Sequence, residues 1–327
     1  MRIIEVLADC GHVDTLRGIA EHNEILDTWV GKSEEDERCS VRMLVRPEKQ
    51  QAVIDAVQQA FTADQNWRLM IHPVEATLPR PEEKIEKEKK HSAGRTREEL
   101  FQSVEAGAKA NSQFIWLVIF STIVATIGLI EDNVAVVIGA MVIAPLLGPN
   151  IGLAFGAALG DKQLINRSLL TGFIGLSLAL VLAYIIGQIL PLDLESNELM
   201  LRTDVGMAGV VLALVSGAAG VLSLTTGLSS TLVGVMVAVA ILPPTVTIGL
   251  MFANGQYKYA LGAALLLAVN LVCVNLSAKV VLLIKGVKPR TWLEKQKARQ
   301  SISIYITFWM LSLLILIGTM HVYHTYL

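Results

Sequence analysis

Two apolar stretches of the chain carry residues that do not suit an uninterrupted helix: "VVIGAMVIAPLLGPNIGLAFGAALGD" (136–161) and "VMVAVAILPPTVTIGL" (235–250). Proline lacks a backbone donor and clashes with the carbonyl four residues before it, so Pro145, Pro149, Pro243 and Pro244 free backbone groups from helical pairing. In hydrocarbon each such orphan costs several kcal/mol, and irregular backbone is tolerated only against protein or water. The broken centres should therefore face the protein interior and, across a pseudo-twofold axis, each other. Asn150, Thr245 and Thr247 could join the freed carbonyls as neutral ligands, and half-helix ends would add local fields of either sign. Asn270 and Asn275 are the other uncharged polar residues at depth, with Ser121, Ser216 and Ser223 as weaker candidates. The candidate pathway for an ion or small polar solute is thus Gly139, Pro145, Gly148, Pro149, Asn150, Gly152, Gly234, Pro243, Pro244, Thr245, Thr247, Asn270 and Asn275. The plain alternative is packing, because prolines and small residues also let membrane helices approach closely while Asn and Thr bridge them.

Other chemistries have less support. Glu131, Asp132, Asp161 and Asp204 lie at the ends of apolar stretches, which leaves no carboxylate at mid-depth for a proton relay. Lys279 lies about one turn from the end of its stretch and is expected to snorkel to the interface. No zinc-ligand helix, paired intramembrane aspartate or Gly-x-Ser-x-Gly turn is present, so no catalytic residue, metal site or cofactor is expected, nor an enzyme. Cys10, Cys39 and Cys273 are too few for a disulfide framework and fit a reducing cytosolic compartment plus one buried thiol.

These residues need elements to hold them. Over half of the 327 residues are hydrophobic, and 37 of the 56 Asp, Glu, Lys and Arg fall in residues 1–110 against 12 in 111–284. That split predicts a soluble head joined to an integral membrane part. A net charge of -2 with no aromatic-interleaved basic patch gives no nucleic-acid partner. The N-terminus lacks the long apolar core of a cleaved signal. Seven stretches approach or exceed the roughly 20 residues that cross a bilayer: Ser112 to Ile130, Val134 to Leu159, Ser168 to Leu190, Val205 to Leu224, Thr231 to Phe252, Ala260 to Ile284 and Ile302 to Tyr323. If all seven cross, Arg95, Arg97, Lys109, Lys162, Arg167 and the basic run from Lys285 to Arg299 share one side, the cytoplasm by the positive-inside rule. The head is then cytosolic and the C-terminus outside, in the inner (cytoplasmic) membrane. A rival topology makes the two proline-containing stretches re-entrant, but it moves Lys162 and Arg167 outside, so full, interrupted crossings are favoured.

The two proline stretches are related. Sliding the chain by 95 residues lays Gly139 on Gly234, Met141 on Met236, Val142 on Val237, Leu147 on Leu242 and Pro149 on Pro244. The same offset lays the first span on the fourth and, with one extra residue, the third on the sixth. Two three-span units, 111–190 and 205–284, follow, and an odd number of spans inverts the second relative to the first.

In the head, 1–79, strand and helix periods alternate in the order βαββαβ, with "PEKQQAVIDAVQQAF" opening at Pro47 as a helix, a ferredoxin-like α+β domain. Such domains associate through their sheets or hold a regulatory ligand; a homo-oligomer is expected. Residues 80–110 read as a charged linker followed by a capping box at Thr96 to Glu99 and a narrow stripe of Leu100, Phe101, Val104 and Ala108, a helix lying on the membrane surface. Residues 285–327 add a basic loop and a seventh span. The fold class is thus an α-helical polytopic membrane domain of two inverted three-span repeats with broken helices, plus that span and the N-terminal head.

"TREELFQSVEAGAKAN" leading into a first span, followed by the two proline-containing stretches, resembles domain-of-unknown-function family 389, an uncharacterised prokaryotic family of multi-pass hydrophobic membrane proteins. The resemblance covers about Thr96 to Ile284 and leaves the head and seventh span outside. It implies an inner-membrane location and brings no catalytic residues. The residues themselves favour a transporter or channel for an ion or small polar solute. The alternative is a non-transporting scaffold or sensor whose head binds a partner or ligand.

Overall fold

The computed structural model describes residues 1–32, 38–62, 66–78, 96–190, 196–226, 241–286 and 292–326, and these form two compact units, Met1–Arg97 and Glu98–Leu327.

The first unit contains β1 (Arg2–Asp9), α1 (Val13–His22), β2 (Asp27–Lys32), β3 (Arg38–Val45), α2 (Gln50–Ala60) and β4 (Arg68–Pro73). The strands form one antiparallel sheet in the order β2-β3-β1-β4. The period of two along β1 and β3 sends Ile4, Val6, Ala8, Val41, Met43 and Val45 to one face, where they meet Leu16 and Ala20 of α1 and Val53, Ile54 and Val57 of α2. Helix α2 begins three residues later than Pro47 suggests. Pro47 instead takes the second position of a turn closed by the Lys49 N–H donating to the Arg46 carbonyl, where its fixed φ also fits. On the open sheet face Glu5 accepts from Ser40 and from Arg42 Nε at 2.9 Å, with His72 Nε2 at 3.1 Å. The Ser40 hydroxyl and then Arg42 hold its carboxyl below the ordinary glutamate value against the opposing effect of burial.

Cys10 and Cys39 are joined in a disulfide with Cα atoms 4.8 Å apart, which corrects the expectation of free thiols. Ala8 is the cross-strand partner of Cys39, and the single 3-10 turn Cys10–His12 carries Cys10 back over it. A count of cysteines carries no information about that proximity. With the two cysteines 29 positions apart, loop entropy puts the stabilisation at about 3–4 kcal/mol. Urea unfolding of the head with and without reductant should differ by that amount, and coincident curves would mean the bond is not formed.

The second unit is helical: α3 (Arg97–Gly107), α4 (Ser112–Ile130), α5 (Val134–Ile143), α6 (Leu147–Leu159), α7 (Lys162–Ile189), α8 (Asn197–Met200), α9 (Met207–Thr226), α10 (Leu242–Ala253), α11 (Tyr257–Ile284) and α12 (Trp292–Tyr326). Among the described residues five helices are long and apolar enough to cross a membrane, or six if α5 and α6, bent by 52°, count as one. Of the fifth expected span the second half forms α10, while its first half, with Gly234, lies outside the described residues. Large apolar side chains on the outside, such as Phe173 (71% exposed) and Ile189 (75%), mark a surface suited to lipid.

Helix α3 does not present its stripe to lipid. Leu100, Val104 and Ala108 are buried against Ile151, Ala154, Phe155 and Ala158 of α6 and Leu164 of α7. Thr171 Oγ1 donates to the Ala108 carbonyl at 2.8 Å, and Arg167 pairs with Glu105 at 2.9 Å. At the other end α8 is tied to the α4–α5 turn. Asp132 accepts from the Glu198 backbone N–H at 2.7 Å, and Ser196 Oγ donates to the Leu129 carbonyl at 2.6 Å. The Glu198 N–H, followed by the Asn197 side chain, keeps the Asp132 carboxyl below its usual value.

The element bounds follow the 95-residue offset. Helices α4, α6 and α7 begin at Ser112, Leu147 and Lys162, and α9, α10 and α11 at Met207, Leu242 and Tyr257. The extra residue suggested for the third pair is not needed, since α7 and α11 are both 28 residues long.

Candidate functional site

The prolines start helices rather than bend them. Ala144, which precedes Pro145, is extended (φ -64°, ψ 122°) and closes α5, as a residue before proline must be when it leaves the helical region. Pro149 and Pro244 each take the third position of a new helix, and Pro243 the second, where the backbone N–H would have no intrahelical partner. Part of the freed backbone is re-satisfied locally. Asn150 Nδ2 donates to the Leu146 carbonyl at 3.0 Å, and Thr245 Oγ1, its counterpart at the 95-residue offset, donates to the Ile241 carbonyl at 2.7 Å.

Contacts along α7 place these two helix starts at one level. On the first half of α7, Ile165 lies against Gly156, Ser168 against Gly152, Gly172 against Pro149 and Gly175 against Leu146, so α6 runs antiparallel to it. On the second half Leu180 and Ala183 lie against Gly249, and Gly187 against Leu250 and Ala253, so α10 runs parallel. The first turns of α6 and α10 thus converge near the midpoint of a helix about 42 Å long. From there they diverge towards its opposite ends. Helix α5 starts beside the end of α4, with Val137 against Gly128, and α6 ends beside the start of α7, so the broken pair runs the length of α7.

Asn111, Asn133, Asp161 and Ser196 cap α4, α5, α7 and α8 with their side chains. At α6 and α10 the capping positions hold Leu146 and Ile241, buried apolar residues that cannot cap. These two, with Leu242 and Ala144, share one apolar cluster that closes the space between the helix starts.

Polar groups gather on one side of the junction, where α6, α11 and α12 pack together. Asn275 Nδ2 donates to Asn150 Oδ1 at 3.1 Å and to the Leu271 carbonyl at 2.9 Å, and Tyr305 donates to Asn275 Oδ1 at 3.2 Å. The Lys279 ammonium lies 5.2 Å from the centre of the Tyr305 ring, and Trp309 packs edge-on to the same ring at 5.7 Å. Lys279 is fully buried, which overturns the expectation of snorkelling. Helices α12 and α6 both pack on α11, and Tyr305 of α12 lies against the ammonium, so the side chain is enclosed by protein although Ile284 at the end of the helix is 78% exposed.

Of the sequence candidates, Asn150 and Asn275 meet directly. Thr245 is satisfied within its own helix, and Thr247 Oγ1 is buried without a partner among the described residues. Asn270 is buried on α11. Gly148 and Gly152 mark close approaches, to Gly107 and to Ser168, while a β-carbon on Gly139 would meet open space. Tyr305 and Trp309 do not stand out in the sequence, and Lys279 stands there only as a residue expected to snorkel. The available signal was a lysine one turn after Asn275 and two aromatics four apart on the last span, a spacing that shares one helix face.

Residues 141–276 match the family described as Domain of unknown function (DUF389). An uncharacterised protein of Methanocaldococcus jannaschii is 31% identical over 296 residues, covering 90% of this chain and 91% of that protein. The chain belongs to DUF389. No solved structure matches it. The DUF389 match is narrower than Thr96 to Ile284 and includes both helix starts, Asn150 and Asn275, but stops short of Lys279 and α12. The aligned length with the archaeal relative is too great to omit the head, so the head is not an addition peculiar to this chain.

Proposed function

We propose that this DUF389 protein is a transporter or channel for an ion or small polar solute, bound where α6 and α10 begin. The observation that carries this reading is the convergence of two uncapped helix starts at the mid-height of α7. Opened first turns direct backbone N–H groups and a positive dipole end at a ligand, the arrangement that broken helices provide in transporters. Two inverted three-span units would place the starts there by symmetry. That assignment is supported by the shared 95-residue offset of three helix pairs and by the exchange of partners, in which α10 packs on α7 and α6 on α11. The run of α5 and α6 along all of α7 supports an interrupted crossing. Basic residues at 95–109, 162–167 and 285–299 support a head in the cytosol and an inner-membrane location. The head would serve for assembly or sensing, and the protein would carry out no covalent chemistry.

The apolar closure by Leu146, Ile241 and Leu242 favours a second reading, a non-transporting scaffold or sensor with a dry helix junction. Flux across vesicles holding the purified full chain separates them. The transport reading expects uptake of at least one ion or small solute above empty vesicles, reduced at least tenfold in Asn150→Leu. No flux across a panel of cations, anions and neutral solutes, or an unchanged flux in the variant, overturns it.

A further inference from the structure

We infer that the solute is an anion and that the Lys279 ammonium is its counter-charge; this deepens the transport reading and rests on it. Lys279 is 0% exposed, and its Nζ has no hydrogen-bond partner among the described residues. Its contact is the Tyr305 ring face, 5.2 Å away. A cation–π contact is weak compensation for the lost hydration of an ammonium at this depth. Four acidic groups of this unit are engaged elsewhere. Glu105 pairs with Lys109 and Arg167, Glu198 with Arg202, Asp132 receives the start of α8, and Asp161 caps α7.

A second group points the same way. Trp309 Nε1 is buried beside Tyr305, whose hydroxyl is the acceptor open to it, makes no well-aligned hydrogen bond among the described residues, and as an indole N–H can only donate. Lys279 and Trp309 flank the one Tyr305 ring, and Tyr305 reaches the first turn of α6 through Asn275 and Asn150. Side chains on α11 lean towards its N-terminus, which carries the Lys279 ammonium towards the Asn275 turn. Two donor-only groups and an uncapped helix start therefore surround one place. The ligand complementary to them accepts hydrogen bonds, donates none and carries negative charge. A halide, an inorganic oxyanion and a small carboxylate share that chemistry, and so does a lipid phosphate reaching in beside α12.

The test uses the full chain in vesicles of neutral phosphatidylcholine, with chloride, nitrate, phosphate and acetate as anions, and sodium, potassium and glycerol as controls. Anion flux should fall at least tenfold in Lys279→Met, stay within about threefold in Lys279→Arg, and fall severalfold in Trp309→Phe. In parallel, thermal stability in neutral detergent is titrated with the same sodium salts at matched ionic strength and, separately, with phosphatidylglycerol. Saturable stabilisation by at least one anion should disappear in Lys279→Met, or in Lys279→Gln if the methionine variant does not fold. Flux of a cation or of glycerol, with no flux of any anion, would overturn the anion inference and leave transport standing. Anion-dependent stabilisation without any flux would leave the anion site standing and remove transport. Stabilisation only by anionic lipid would replace the free anion with a lipid headgroup and overturn the assignment of solute. Equal responses of wild type and both lysine variants to every anion would remove the site.

Discussion

Gly148→Ala is expected to destabilise the membrane unit by about 1–3 kcal/mol, and Gly148→Leu to prevent its assembly. A β-carbon on Gly148 would collide with the Gly107 carbonyl group and Cα, all backbone atoms. Backbone cannot rotate aside as a side chain can, so α3 would have to lift from α6, and overpacking of this kind costs about 1–3 kcal/mol per added group. Its neighbours in the candidate set grade the effect. At Gly152 the collision is with the Ser168 hydroxyl, which can turn, although Ala108 Cβ at 3.2 Å limits the gain in space. At Gly139 nothing lies within 4 Å, and Gly139→Ala should be neutral or stabilise by about 0.4–1 kcal/mol, because alanine restricts the unfolded chain. Thermal denaturation in detergent of the three alanine variants should rank Gly148 below Gly152 below Gly139. Equal stability of Gly148→Ala and wild type would mean that the α3–α6 approach is looser than described.

Asn275→Leu is the second large effect expected. Asn275 is 1% exposed and links three elements, donating to Asn150 on α6 and to its own helix and accepting from Tyr305 on α12. Leucine keeps much of the volume but strands the Asn150 oxygen and the Tyr305 hydroxyl. Each buried polar group left unmatched costs about 1–3 kcal/mol. Tyr305→Phe removes one partner by itself and should cost less. The double variant should recover part of the loss, because the hydroxyl stranded by leucine is then absent. A coupling of about 0.5–3 kcal/mol between the two positions is expected. Strictly additive losses would show that Tyr305 and Asn275 do not share a hydrogen bond in the membrane.

The two predictions act on different aspects of one arrangement. Gly148 sets how closely helix α3 approaches the start of α6, and Asn275 sets how α12 is fastened beside that start. Both positions lie around the place where transport is proposed, so each stability measurement should accompany the flux measurement. A variant that folds normally and loses flux separates a role in the pathway from a role in packing.

Much of the architecture was legible in the chain itself, for local reasons. The period of two along β1 and β3 and the helical spacing of Val53, Ile54 and Val57 depend on near neighbours, and they predicted the head's element order and its core. Long apolar runs predicted the spanning helices, and Ser112 to Ile130 has the bounds of α4 as predicted. The proline pair at an offset of 95 identified both helix starts, because proline acts on the residue before it and on its own turn. Distances between remote segments were decided by the tertiary structure. The proximity of Cys10 to Cys39 comes from strand register, and the docking of the Leu100, Val104 and Ala108 stripe comes from α6 and α7 lying beneath it. Lys279 looked like a residue near a helix end because sequence measures depth along one helix. Enclosure depends on what packs alongside, and α6 and α12, distant in sequence, pack against α11 there, with Tyr305 of α12 lying against the ammonium.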